Sequence, residues 1–166
     1  MKKNGSVYVA VVFAVLFGYF GYQWWFNPAR AVKLRIGEVA AVLSVPENES
    51  DLARVTRLAR LRRYLAEDLR ITIGTVPERV SRDLALAAAG SWRPHPGSGD
   101  VRFADVQVFI ESATAAHAYL AVQLTSVDRE SGQPTIDSRD ASVGLAKRDG
   151  EWVITTAESK GLPERR

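Results

Sequence analysis

Residues 101–158 read VRFADVQVFIESATAAHAYLAVQLTSVDRESGQPTIDSRDASVGLAKRDGEWVITTAE, and this stretch decides the fold. Apolar and polar side chains alternate along it with a period of two, the repeat of a strand with one face in a core. The pattern is plainest from Ala115 to Asp128. Ala118, Leu120, Val122 and Leu124 fall on one face, and His117, Tyr119, Ala121 and Gln123 on the other. The alternation predicts four long strands over 101–111, 115–128, 135–147 and 151–158. Ser112-Ala113-Thr114, Glu130-Ser131-Gly132 and Arg148-Asp149-Gly150 separate them. The last two read as hairpin turns, with Asp149-Gly150 a pair suited to a tight one.

Upstream, the period changes from two to that of a helix. Val32, Ile36, Val39, Ala40 and Leu43 predict an amphipathic helix over 31–44, following a break at Pro28. Pro46-Glu47-Asn48-Glu49-Ser50 is a loop in which Asn48 or Ser50 caps the next helix. Leu52, Val55, Leu58, Leu61, Leu65 and Leu69 then form an apolar stripe, predicting a helix over 51–69. A short alternation from Asp68 to Ile73 closes at Gly74, an Ala-rich helix spans 78–89, and WRPHPGSG (92–99) is a loop. Helices followed by a meander imply an α+β domain, three helices packed on a curved antiparallel sheet.

The N-terminus has a different composition. Val7 to Phe26 is a run of 20 residues without a charge, and 9 of the chain's 15 aromatics lie in the first 26 residues. At about 1.5 Å per residue such a run spans a hydrocarbon core, and a single transmembrane helix is expected. Tyr22, Trp24 and Trp25 form an aromatic belt at one end. Ala10, Ala14 and Gly18 recur every four residues, a small-residue face for packing against another membrane helix. The competing reading, a signal peptide cleaved near Ala29-Arg30-Ala31, is opposed by the length of the run and by bulky Trp24-Trp25-Phe26. The domain boundaries expected are 1–28 for a cytoplasmic tail and anchor, 29–158 for the α+β domain, and 159–166 for a polar tail. The short tail before the anchor places the N-terminus in the cytoplasm and the domain in the periplasm, on a bacterial inner membrane.

The formal charge is +3, of which Lys2 and Lys3 supply two. The remainder carries about +1, so no concentrated basic surface for nucleic acid is expected. There is no cysteine, which excludes disulfides, thiolate metal sites and a Cys nucleophile. No cofactor or metal is expected.

Helix, helix, short strand, helix and four antiparallel strands ending in Asp149-Gly150-Glu151-Trp152-Val153-Ile154 resemble the NTF2-like (SnoaL-like, cystatin-like cone) superfamily. The arginine-rich second helix running into Tyr64-Leu65-Ala66-Glu67-Asp68-Leu69 adds to the resemblance, which covers about residues 31–158. It implies a cone-shaped α+β fold. It implies little about activity, because this fold hosts isomerases, dehydratases, cyclases, transport factors and membrane-anchored domains of larger machines. In family enzymes an Asp with His or Tyr projects into the cone.

His117 and Tyr119 are therefore the candidate pocket-lining residues, against the alternative that their strand face meets solvent or a partner. His95, between two prolines, reads as an exposed loop residue. Asp137, Arg139 and Asp140 read as a solvated strand face. Arg54, Arg57 and Arg60 repeat every three residues and form a basic edge that is a candidate contact for lipid or an acidic partner; Arg62 and Arg63 add to it. Trp92 is a candidate partner anchor. No catalytic constellation, phosphate loop, dinucleotide fingerprint or nucleophile elbow is present. The expectation is a non-catalytic accessory subunit of a larger bacterial membrane assembly, such as an energy-converting respiratory or photosynthetic complex. Its partners would be other membrane subunits, met through the transmembrane helix and the cone domain, and lipid. The alternative is a membrane-tethered SnoaL-like enzyme or small-ligand binder.

Overall fold

The computed structural model describes residues 11–18, 27–73, 76–94, 99–127 and 131–159. Residues 11–18 are helical (α1) and exposed throughout. Among the described residues no helix is long and apolar enough to cross a membrane. Most of the 7–26 run, including Ala10, Tyr22, Trp24 and Trp25, lies outside the described residues, as do His95 and the tail from 160.

The helical half is built from α2 (Pro28–Leu43), α3 (Asp51–Tyr64), and α4 (Arg82–Ser91) with the hairpin strands β1 (Leu65–Ile73) and β2 (Val76–Val80) before it. The strands β3 (Val101–Ile110), β4 (Ala115–Val127), β5 (Pro134–Arg148) and β6 (Glu151–Ser159) follow. The meander matches the expected strands to within a few residues at each end.

Pro28 opens α2 where a break was expected. Proline suits the first turn, which needs no N–H from it, and the Asn27 side chain accepts from the Ala29 N–H at 3.0 Å. The helix ends at Ser44, whose hydroxyl accepts from the Val101 N–H at 2.9 Å and lies 3.1 Å from the Ala40 and Val101 carbonyls. One serine thus fastens the end of α2 to the start of β3.

The expected helix over 51–69 stops at Tyr64. Leu65 and Leu69 continue the period of the leucine stripe, but they belong to β1, which pairs in parallel with β6. A register shift between Leu65 and Arg70 lets both Ala66 and Leu69 turn inward. The expected helix over 78–89 likewise yields its first residues to β2, and Ser81 caps α4 by accepting from the Leu84 N–H. The sheet is six-stranded in the order β2-β1-β6-β5-β4-β3, and its one parallel pair, β1 with β6, corrects the expectation of a wholly antiparallel sheet.

The core lies between α2 and one face of this sheet. Val32, Ile36 and Val39 pack in one cluster with Leu69, Ala118, Leu120, Val143, Leu145, Trp152 and Ile154. Each large side chain so buried stabilises the fold by roughly 1.5–3 kcal/mol. From the middle of α2, Arg35 reaches the end of α3 and the start of β6. Its guanidinium lies 4.9 Å from the Tyr64 ring centre and 3.1 and 3.4 Å from the Glu38 and Glu151 carboxylates.

Candidate functional site: the outer sheet face

Alternation places Ala116, Ala118 and Leu120 of β4 against the helices, so His117 and Tyr119 point to the opposite face of the sheet. Cross-strand pairing builds two rows there. Gln107, Tyr119, Ser142, Glu158 and Thr72 lie side by side across five strands, and Phe109, His117, Gly144, Thr156 and Arg70 form the next row.

Two irregularities shape this face. Between Ala104 and Gln107, β3 carries one residue more than β4 opposite it, and Asp105 there has φ 52°. This bulge changes which side chains face inward: Phe103 before it, Val106 and Val108 after it. Asp105 and Gln107 consequently reach the outer face. The apolar set switching from odd to even positions, with an Asp at the switch, is the sequence signal for this bulge. The second irregularity is at Gly144, where a Cβ would collide with the Thr156 hydroxyl, and the Thr155 hydroxyl donates to the Gly144 carbonyl at 3.2 Å.

The outer face holds an open cavity of about 640 Å³. Tyr119 and His117 lie in its wall with Asp105, Asp140 and Glu158, and among the described residues no arginine or lysine lines it. Tyr119 is 53% exposed and meets Phe109, also 53% exposed, edge to face at 5.9 Å. Its ring centre is 4.8 Å from that of His117. The cross-strand neighbours of His117 are Phe109 and Gly144, and no described acid hydrogen-bonds to its ring. The geometry gives a surface of aromatic and hydrogen-bonding groups with three carboxylates beside them. Among the described residues no group of three His, Cys, Asp or Glu is placed to hold a metal.

The basic edge is arranged differently from its sequence reading. Arg57 is turned inward and only 8% exposed, correcting its assignment as a lipid or partner contact. It grips Glu49 through Nε–Oε1 at 2.6 Å and Nη2–Oε2 at 3.2 Å, and reaches the carbonyls of Val42 and Ala89 at 3.4 Å. One side chain therefore joins α2, the following loop, α3 and α4. The Arg57 hydrogen bonds hold the Glu49 carboxyl below its ordinary pKa, against the opposing effect of burial. Arg54 is spent on Asp51 at 2.8 Å and Glu49 at 3.7 Å. Arg60, Arg62 and Arg63 face solvent, and Trp92 is half-buried at the end of α4. Because Arg57 and Leu61 form the buried side of α3, Leu52 is left 78% exposed and Val55 63% exposed. Asp137 and Arg139 pair along β5 at 3.1 Å, and Asp140 turns to the outer cavity.

The α+β fold defined by this sheet and its helices is the NTF2-like, cystatin-like cone. An NTF2-like protein of unknown function from Shewanella oneidensis MR-1 is 18% identical, with a TM-score of 0.59 over 80% of this chain and 98% of that chain. An NTF2-like protein with a cystatin-like fold from Novosphingobium aromaticivorans is 16% identical, with a TM-score of 0.60 over 88% and 90%. The association domain of calcium/calmodulin-dependent protein kinase II from C. elegans is 12% identical, with a TM-score of 0.61 over 81% and 98%. At these identities the likeness is one of fold. No protein-family model and no curated protein matches the chain.

Proposed function

We propose that this chain is a non-catalytic association module, tethered to a bacterial inner membrane by residues 7–26, that docks on a larger membrane assembly. The observation that carries the reading is how the two sides of the sheet are used. The helix-covered side is filled by Val32, Ile36, Val39, Leu120, Val143, Leu145 and Trp152, leaving the cone's interior to packing. The opposite side presents Phe109 and Tyr119 to solvent, and exposed aromatics of this kind serve as anchors in protein interfaces. The C. elegans neighbour, named an association domain, is a precedent for such use of this fold. In this reading the N-terminus is cytoplasmic, the cone is periplasmic, and Ala10, Ala14 and Gly18 pack on a neighbouring transmembrane helix.

A second reading is favoured by the outer cavity itself. Its about 640 Å³ would admit a small ligand, with His117 and Tyr119 in the wall and three carboxylates about it. Extraction from native membranes in a mild detergent, followed by size separation and mass spectrometry of co-migrating chains, tests both. Migration in a large complex of fixed composition, lost in the Phe109→Ala/Tyr119→Ala variant, is the expected result. Migration alone in a micelle overturns the subunit reading and directs attention to ligands of the cavity.

A further inference from the structure

β5 is longer than the strand beside it. Ala141 to Arg148 pair with β6, whereas Pro134 to Asp140 pair only with β4. On their other side no described residue covers them, and every residue from 134 to 140 is exposed. In an antiparallel ladder each residue turns its N–H and C=O to the same side, alternating along the strand. The 134–140 segment therefore offers a row of backbone donors and acceptors with no ladder partner among the described residues. Such an edge is a template for another strand.

The side chains select the strand. Asp137-Ser138-Arg139 reads with opposite charge in the two directions from its central residue. We infer that residues 136–140 of β5 pair antiparallel with the same residues of a second copy, about a two-fold axis through Ser138. Asp137 of each copy then faces Arg139 of the other, and Cβ atoms directly opposite lie about 4.5–5.5 Å apart. The ion pair that now runs along one strand, Arg139 Nη2 to Asp137 Oδ2 at 3.1 Å, becomes a set of four alternating charges across two. A two-fold interface is self-complementary in this way.

Neighbouring registers are worse. Centring on residue 137 or 139 sets Asp137 against Asp137, or Arg139 against Arg139. Centring between two residues would oppose groups that point to different sides of the strand, and so forms no ladder. From Ala141 onward the place beside β5 is taken by β6, beginning with Ser159. Only the register centred on Ser138 gives five opposed residues and opposite charges. The inference does not rest on the membrane tether or on the Phe109–Tyr119 face.

The chain has no cysteine, so a single introduced thiol reports the contact without background. Facing Cα atoms in an antiparallel pair lie within the 4.4–6.8 Å range that a disulfide spans. In the full chain, held in a mild detergent and treated with a mild oxidant, Ser138→Cys is expected to give a covalent dimer on a non-reducing gel. Ser142→Cys lies on the same face of β5 but between β4 and β6, and it is expected to remain a monomer. Adding Asp137→Arg to Ser138→Cys should cut the dimer yield roughly fivefold to tenfold, since two attractive pairs become two repulsive ones. Adding Asp137→Arg together with Arg139→Asp should restore it. Circular dichroism establishes that each variant is folded. A folded Ser138→Cys chain that stays monomeric overturns the inference, and means that the chain's own residues beyond 159 or another protein cover this edge. Equal cross-linking through Ser142→Cys, or no restoration by the double charge exchange, overturns it as well.

Discussion

The Glu49–Arg57 pair holds together the parts of the helical half. Both side chains are nearly sealed, 6% and 8% exposed, and the arginine spans four segments of the chain. Removing one partner strands the other's charge in the interior, so Glu49→Ala should lose about 3–5 kcal/mol in urea unfolding. Replacing both by apolar residues, as in Glu49→Leu/Arg57→Met, should recover most of that loss. The pH dependence follows from the lowered pKa of Glu49. A carboxyl depressed in the folded state binds its proton more readily when unfolded. Its contribution is therefore complete above the ordinary carboxylate range, and it is lost as pH falls through the folded-state value. Glu49→Gln should flatten this acid limb of the stability curve, and thermal melts from about pH 3 to about pH 7 would read it. Gly144 makes a second residue-scale case. A methyl group there meets the Thr156 hydroxyl, so Gly144→Ala should destabilise by about 1–3 kcal/mol, and adding Thr156→Ala, which removes that hydroxyl, should relieve part of the loss.

Among the elements, the meander was legible because its strands have one buried face, and alternation is the direct imprint of that burial. The α3–β1 boundary was not. Leu61, Leu65 and Leu69 keep a four-residue spacing, yet the last two lie in a strand whose register shift lets Ala66 and Leu69 both face inward. What decides the matter is pairing with β6, about 90 residues along the chain, which no local window contains. The inward turn of Arg57 was hidden for a related reason. Its partner Glu49 precedes the helix by a loop, and a period of three among arginines reads equally well as an exposed edge. The outer face was half legible. His117 and Tyr119 fall together by parity alone, whereas Asp105 and Gln107 join them only through the β3 bulge. That bulge makes a prediction at the scale of the element. Asp105 holds φ 52°, which glycine adopts freely and a β-branched residue resists. Asp105→Gly should stay within about 1 kcal/mol of the parent, while Asp105→Val should lose about 1–3 kcal/mol in urea unfolding.

At the scale of the whole molecule, the chain divides into an apolar N-terminal run and a domain whose own groups close its first helix. Asn27 caps α2, Pro28 starts it, and Val32 begins the buried cluster only four residues later. Among the described residues the buried cluster holds none before Val32, so the domain's stability should not depend on what precedes Asn27. Tether and fold can therefore be separated experimentally. A chain beginning at Asn27 should melt within about 2 °C of the full chain, a shift corresponding to well under 1 kcal/mol for a domain of this size. On the proposed function it should also leave the membrane fraction, in which the apolar run would keep the full chain. Retention after carbonate washing measures that second half. A shortened chain that stays with membranes would locate the attachment in the cone itself, with exposed Leu52 and Val55 beside Arg60, Arg62 and Arg63 on α3 as the surface to alter next. A full chain released by carbonate would remove the tether from the proposed function while leaving the Phe109–Tyr119 face and the β5 edge as the two proposed contact surfaces still to be tested.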